Sequence, residues 1–287
     1  MRTRHTDRFR KVVSRSRTVR TLINLPSILR GLNRASTWRD YALQENGPVN
    51  GMGLDHRDAI NPLRAYFESV TSGRGIWKWG HYFDIYHRHF QRFVGKEVTV
   101  VEVGIFSGGS LTMWKRYFGP QCLIYGIDLQ SECKAYEDER TKVFIGDQSD
   151  RSFWRRFRGE VKNIDIVIDD GGHLPEQQIV TFEETVPYLR PGGVYLCEDI
   201  LGSHNPFAAY VYGLTTALNS FALTHGAKSN GTDAVVGASA LQRSICSIHL
   251  YPFVTVVEKA TQSVEQLVSL KRGTEWQPLW PDETPRR

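Results

Sequence analysis

The stretch Val98-Thr-Val-Val-Glu-Val103, Gly104-Ile-Phe-Ser-Gly-Gly-Ser110 and Leu111–Phe118 decides the fold. A β-branched run stops at a glycine, a glycine-rich turn follows, and apolar residues then recur at helical intervals. That reads as strand, tight turn and helix. Working outward, the unit repeats. Leu123-Ile-Tyr-Gly-Ile127 ends at Asp128, and Lys142-Val-Phe-Ile145 is followed by Gly146-Asp147. Ile164-Asp-Ile-Val-Ile168 runs into Asp169-Asp170-Gly171-Gly172-His173. Helical patterns cover 152–158 and 176–189, and the turn at 190–193 leads into a strand, Val194–Cys197, closed by Glu198-Asp199. Residues 244–249 and 253–257, with Pro252 between them, are predicted to form a final antiparallel pair. Strands alternating with helices over short connections predict a doubly wound, mostly parallel sheet. Ligands of such sheets collect outside the carboxyl ends of the strands, where these acidic residues lie.

The composition fits a folded chain of one large or two small domains. With 287 residues, 40% hydrophobic and 23% charged, it is not that of a disordered protein. Four cysteines without a CxxC pair predict neither a disulfide framework nor structural zinc, and a reducing, cytoplasmic setting is expected. The longest uncharged stretch, Ile200–Ala227, is too polar to span lipid. Within it, Phe207, Tyr210, Val211, Leu214, Leu218 and Phe221 repeat at helical spacing, which predicts an amphipathic helix. Residues 1–40 carry eleven Lys/Arg against Asp7 and Asp40, a net of +9, so the rest of the chain has a net of −4. The basic character therefore belongs to an N-terminal arm. It reads as a transit peptide, a membrane-surface arm, a nucleic-acid tail or a plain solvated extension. Arm and linker are expected over 1–55, helices over 56–95, the sheet domain over 96–260 and a tail over 261–287.

The first glycine turn limits the ligand. A dinucleotide site wants GxGxxG, but its second glycine position holds Phe106, whose ring obstructs a pyrophosphate. Glu102 would also repel a diphosphate. S-adenosylmethionine has no phosphate and carries an ammonium and a sulfonium, so it suits Glu102, Gly104 and Ser110 better; the alternative is a glycine-rich turn with no ligand. Asp128 follows Gly104 by 24 residues, where a carboxylate can accept from ribose hydroxyls. Asp147 and Gln148 are candidates to face an adenine, and Asp169 completes the expected cofactor set.

Asp170, Glu198 and Asp199, with His173, end adjacent predicted strands. Three carboxylates offer oxygen ligands suited to Mg²⁺, and the imidazole a titratable base. An aliphatic hydroxyl needs such help, because a bound cation lowers its pKa and a histidine can then take the proton. The alternative is that Asp170 and Asp199 cap helices and His173 is a loop residue.

In order, VEVGIFSGGS (101–110), IYGIDL (124–129), FIGDQSD (144–150), IDIVIDDGGH (164–173) and LRPGGVYLCEDI (189–200) resemble a class I S-adenosylmethionine-dependent methyltransferase. More narrowly, they are similar to the metal-dependent sugar O-methyltransferases of the mycinamicin and macrocin type and to the cephalosporin-hydroxylase-like group. KWGHYFDIYHRHF (78–90) resembles the segment preceding the sheet in that group. The resemblance implies a Rossmann-like, seven-stranded sheet with an antiparallel final strand and an N-terminal helical extension, in which 56–95 is a lid. It also implies S-adenosylmethionine and Mg²⁺ as cofactors, metal ligation by Asp170, Glu198 and Asp199, and His173 as base. The expected activity is O-methylation of a glycosylated or polyhydroxylated small molecule in natural-product biosynthesis. Weak anionic-surface contact through the arm and a homo-oligomer are further expectations. Two rivals stand beside this reading, a hydroxylase-like oxidoreductase and a non-catalytic adenosine-ligand binding module. Relatives often continue Thr-Ser-Tyr after the Glu-Asp pair, whereas this chain has Ile200-Leu201-Gly202-Ser203-His204, which bears on the acceptor. Trp77, Trp79, Tyr82, Phe83 and Tyr86 read as core or as an acceptor wall, His81 as an active-site or surface-turn residue, and His87 and His89 as solvated.

Overall fold

The computed structural model describes residues 25, 26, 28–35, 61–202, 204–220, 234–270 and 272–275. The chain divides into two units, Met1–Ala59 and Ile60–Arg287. In the first, the described residues are helical, and Leu25, Leu29 and Leu32 are exposed. Most of the predicted arm, and Phe221 of the predicted amphipathic helix, lie outside the described residues.

The second unit is built on a seven-stranded sheet. Its strands are β1 (Val98–Val103), β2 (Cys122–Asp128), β3 (Thr141–Ile145), β4 (Ile164–Asp169), β5 (Leu189–Cys197), β7 (Ile245–Tyr251) and β8 (Val254–Lys259). Their order is β3-β2-β1-β4-β5-β8-β7. The first five are parallel, and β8 runs antiparallel to both β5 and β7. A mostly parallel seven-stranded sheet with an antiparallel end agrees with the sequence reading, with one extension. In the stretch read as a tail, β9 (Gln266–Ser269) pairs antiparallel with β6 (Ala234–Gly237) as a separate ribbon.

Strand alternation builds two cores. Val98 and Val100 of β1, Ile166 and Ile168 of β4, and Val194 and Leu196 of β5 share one face. Three helices cover it: α1 (Pro62–Ser69), α2 (Tyr82–Phe90) and α3 (Gly109–Phe118), which contribute Leu63, Tyr86, Phe90 and Trp114. Val101, Val103, Val167 and Tyr195 point the other way. There they meet Phe153, Trp154 and Phe157 of α4 (Arg151–Glu160), Val180 and Phe182 of α5 (Pro175–Thr185), and Phe207 and Val211 of α6 (Pro206–Leu218). A sheet buried on both faces explains why its strands read as near-continuous apolar runs. The short helix α7 (Ala240–Ser244) leads into β7.

Local chemistry sets the helix ends. Asn61 accepts from the N–H groups of Leu63 and Arg64 ahead of Pro62, and Asn205 does the same for Phe207 and Ala208 ahead of Pro206. β1 lies between β2 and β4, so the chain leaves β1 toward one side and crosses back to the other. That switch point opens a crevice at the carboxyl ends of β1 and β4. No helix among the described residues is long and apolar enough to cross a membrane.

Candidate active site

A cavity of about 610 Å³ opens at this switch point, lined by the glycine turn after β1, the ends of β2 to β5 and the segment before α2. Gly104 has a φ of +81°, and a Cβ there would lie 2.0 Å from the carbonyl oxygen of Asp170. Only glycine meets both conditions. Its N–H donates to Ile127 O at 2.8 Å, which closes the turn against β2. Phe106 follows with a φ of +40° and exposes its ring at the cavity.

The expected cofactor residues divide into two groups. Gly104, Ser110, Asp128, Asp147 and Gln148 line the cavity. Asp128 Oδ2 accepts from the N–H groups of Ile105 and Phe106, at 3.1 and 3.0 Å, so it also shapes the turn. Asp147 Oδ1 accepts from Ser149 N–H and Oγ–H, both at 2.7 Å. Gln148 is a buried strut: its Nε2 donates to Asp169 Oδ1 and Thr181 Oγ1, and its Oε1 accepts from Gly172 N–H. Glu102 and Asp169 lie beneath the cavity instead of lining it. Glu102 Oε2 accepts from Ser110 Oγ at 3.0 Å, while Oε1 is buried without a partner. Burial pushes its pKa up to about 7 against the pull of Lys78. Asp169 accepts from Gln148 and from Tyr195 Oη, and burial also pushes it up to about 7.

The acidic residues after β4 and β5 do converge. Asp170, His173 and Asp199 each bring one ligand atom to within 4.8 Å of the others. His173 Nε2 lies 4.0 Å from Asp170 Oδ1 and 3.7 Å from Asp199 Oδ2. These polar atoms face one another beyond hydrogen-bonding distance. His173 Nδ1 is buried without a partner, and His173 and Asp199 have φ values of +57° and +52°. Backbone strain at functional groups is common where surrounding structure holds them. The oxygen-rich set suits a hard divalent cation.

Glu198 is engaged elsewhere. Its Oε1 accepts from Tyr86 Oη at 2.7 Å and its Oε2 from Lys78 Nζ at 3.0 Å. Lys78 Nζ also donates to Asp170 Oδ2. The geometry thus separates the three predicted ligands into an Asp170–Asp199 pair facing His173 and a buried Glu198 tied to Lys78. Burial, then the charge of Asp170, pushes Glu198 up to about 8, while Lys78 and Tyr86 pull it down. Burial alone would lower the Lys78 pKa, but Asp170 and Glu198 together raise it above the ordinary value.

Lys78 carried no role in the sequence reading. The available signal was a set of acids at predicted strand ends, Glu102, Asp170 and Glu198, with no Lys or Arg beside them in sequence. Tyr82 and Tyr86 bury their rings as core and present hydroxyls to the site, with Tyr82 Oη donating to Asp199 Oδ1 at 2.7 Å. Trp79 Nε1 donates to the same oxygen at 3.0 Å, and Trp77 is exposed at the rim. His81 Nε2 lies 3.0 Å from Pro252 O. His89 corrects the reading of a solvated residue: it is 3% exposed. Helical spacing places it on the buried stripe of Tyr82 and Tyr86.

No family model matches the chain. Sequence relatives do. The chain is 39% identical over 190 residues to demethylmacrocin O-methyltransferase of Streptomyces fradiae, a match covering 60% of this chain and 48% of that protein. It is 34% identical over 200 residues to 8-demethyl-8-alpha-L-rhamnosyl tetracenomycin-C 2'-O-methyltransferase of Streptomyces olivaceus, covering 65% and 52%. It also matches a solved structure of the MycE methyltransferase from the mycinamycin biosynthetic pathway in complex with Mg and SAH. There the TM-score is 0.56 and the identity 28%, over 70% of this chain and 53% of that one. The chain is a relative of the class I S-adenosylmethionine-dependent methyltransferases. Among them it resembles the sugar O-methyltransferases, and it spans about half the length of the curated relatives it matches. In this methyltransferase-like fold the shared sheet places the cavity and the Asp170–His173–Asp199 cluster at one end.

Proposed function

We propose that this chain is an S-adenosylmethionine-dependent, Mg²⁺-assisted O-methyltransferase acting on a hydroxyl of a glycosylated or polyhydroxylated small molecule. The observation that carries the reading is the cluster on the cavity wall, where free oxygens of Asp170 and Asp199 face His173 Nε2 across 4.0 and 3.7 Å. The glycine turn and Asp128 form the cofactor side of the same cavity.

In this reading the acceptor hydroxyl lies beside His173. Its oxygen attacks the methyl carbon as the carbon–sulfur bond breaks, the sulfonium leaves as a neutral thioether, and His173 Nε2 takes the hydroxyl proton. Asp170 and Asp199 are the residues that would hold Mg²⁺, which when bound lowers the hydroxyl pKa. Trp79 and Tyr82 fix Asp199 through its Oδ1, leaving Oδ2 toward His173. Lys78 neutralises the buried Asp170–Glu198 pair and fixes Asp170 through Oδ2, leaving Oδ1 toward His173. With the sulfonium already a good leaving group, orientation supplies much of the rate.

The test uses the full chain with S-adenosylmethionine and a panel of glycosylated acceptors that includes demethylmacrocin and mycinamicin VI, read by S-adenosylhomocysteine release and product mass. Turnover should disappear on chelation and return with Mg²⁺, and His173→Ala should lower it at neutral pH. Full turnover after exhaustive chelation, or iron- and oxygen-dependent turnover without methyl transfer, would overturn the proposal. Calorimetry showing tight S-adenosylmethionine binding but no methyl transfer to any acceptor would favour the binding module.

A further inference from the structure

A second cluster lies away from the cavity, where the end of α2 meets the β7–β8 hairpin. His89, His249 and Glu258 bring one ligand atom each to within 4.8 Å of one another. They come from three elements, α2, β7 and β8, and the pairing explains the meeting. Ser247 stands opposite Glu258 and His249 opposite Val256, so Ser247, His249 and Glu258 project from the sheet face that α2 covers. His89 comes down onto them from the buried stripe of α2.

We infer that His89, His249 and Glu258 form a second cation site, suited to Zn²⁺. His89 Nδ1 lies 2.9 Å from Glu258 Oε1, a hydrogen bond to the carboxylate whose proton a bound cation would displace. His89 Nε2 lies 2.9 Å from Tyr251 Oη. With an ion on Nδ1, the Nε2–H would donate to this hydroxyl, a second-partner contact that fixes the ring. The His89 and His249 rings are 4.6 Å apart between centroids, so both nitrogens reach the same space. Ser247 Oγ sits 3.0 Å from His249 Nε2 and 3.4 Å from Glu258 Oε2. Arg92 donates to Glu258 Oε1 at 3.2 Å and to Gly192 O at 2.8 Å, so Oε1 is shared by His89 and Arg92 while Oε2 takes only the long contact from Ser247.

Two imidazoles and one carboxylate favour Zn²⁺ over Mg²⁺, which takes oxygen ligands. Zinc bonds of about 2.0–2.2 Å place tetrahedral ligand atoms roughly 3.4 Å apart, and the three ligand atoms here already lie within 4.8 Å of one another. With three protein ligands, a water fills the fourth position. The ion would staple the end of α2 to the hairpin, and α2 is the helix whose Tyr82 and Tyr86 hold Asp199 and Glu198.

The experiment titrates metal-stripped full-length protein with Co²⁺ alone, followed by the visible absorption of a tetrahedral ion and by displacement with Zn²⁺. A double variant, Asp170→Asn with Asp199→Asn, removes binding at the candidate active site. It should still take up one Co²⁺ per chain with the tetrahedral spectrum. His249→Ala should melt like the wild type without metal, lose the tetrahedral band and bind Zn²⁺ at least tenfold more weakly. Tyr251→Phe should weaken Zn²⁺ binding about tenfold. The inference is overturned if the double variant binds no Co²⁺ or if His249→Ala binds it as the wild type does. Neither outcome bears on methyl transfer.

Discussion

Glu102→Gln should stabilise this protein, and only at higher pH. Glu102 is fully buried on β1, with one carboxylate oxygen accepting from Ser110 Oγ and the other without a partner. Burial lifts its pKa from 4.5 to about 7. Below pH 4.5 the side chain is protonated in both the folded and unfolded chain, and ionisation contributes no difference. Between the two values the unfolded chain releases the proton while the folded one retains it, so stability falls as pH rises. Above about 7 the full penalty of a buried carboxylate is present. At 1.36 kcal/mol per pKa unit it amounts to about 3 kcal/mol. Glutamine has the same shape, still accepts from Ser110 and cannot ionise. Urea unfolding of wild type and Glu102→Gln at pH 4, 6 and 8, with equal m-values, measures the difference. The variant should match the wild type at pH 4 and exceed it by about 3 kcal/mol at pH 8. A difference independent of pH, or a variant less stable at pH 8, would refute the assignment of the penalty to burial of this carboxylate.

Other substitutions probe the same architecture. Lys78→Met leaves Asp170 and Glu198 buried without their cation, and equilibrium unfolding at pH 8 should show a loss of about 3–5 kcal/mol, the range for breaking a buried ion pair. Gly104→Ala adds a Cβ 2.0 Å from a backbone oxygen at a φ of +81°, so melting should report a loss of about 2 kcal/mol or more, and calorimetry a loss of S-adenosylmethionine binding. Deleting residues 1–40 removes a net charge of +9 and should leave S-adenosylmethionine affinity unchanged while lowering co-sedimentation with anionic vesicles at low salt. Each Lys or Arg near such a surface is worth on the order of 1 kcal/mol, decaying over a Debye length of about 8 Å at physiological salt.

The sheet was legible because its signals are short-ranged. Val98–Val103 and Ile164–Asp169 are apolar on both faces, and each ends where a glycine or an acid turns the chain, which is visible within ten residues. The placement of Asp170 and Asp199 beside His173 followed from one further rule, that adjacent parallel strands bring their carboxyl ends together. Tyr82, Tyr86 and Phe90 showed their helical spacing equally plainly, and His89 lies on that stripe, so its burial was available from periodicity although the adjacent Arg88 is exposed.

What the sequence determined by itself was therefore the alternation of elements, the mostly parallel sheet and the chemistry carried at the strand ends. The tertiary structure alone decided which polar groups saturate one another. Lys78 reaches Asp170 across 92 residues and Glu198 across 120, tying both carboxylates to one cation. The ribbon of β6 with β9 and the meeting of His89 with Glu258 are pairings of the same kind. The physical reason is that periodicity specifies which face a residue occupies, whereas an ion pair or hydrogen bond depends on distances of a few ångströms between side chains, set only when the elements pack.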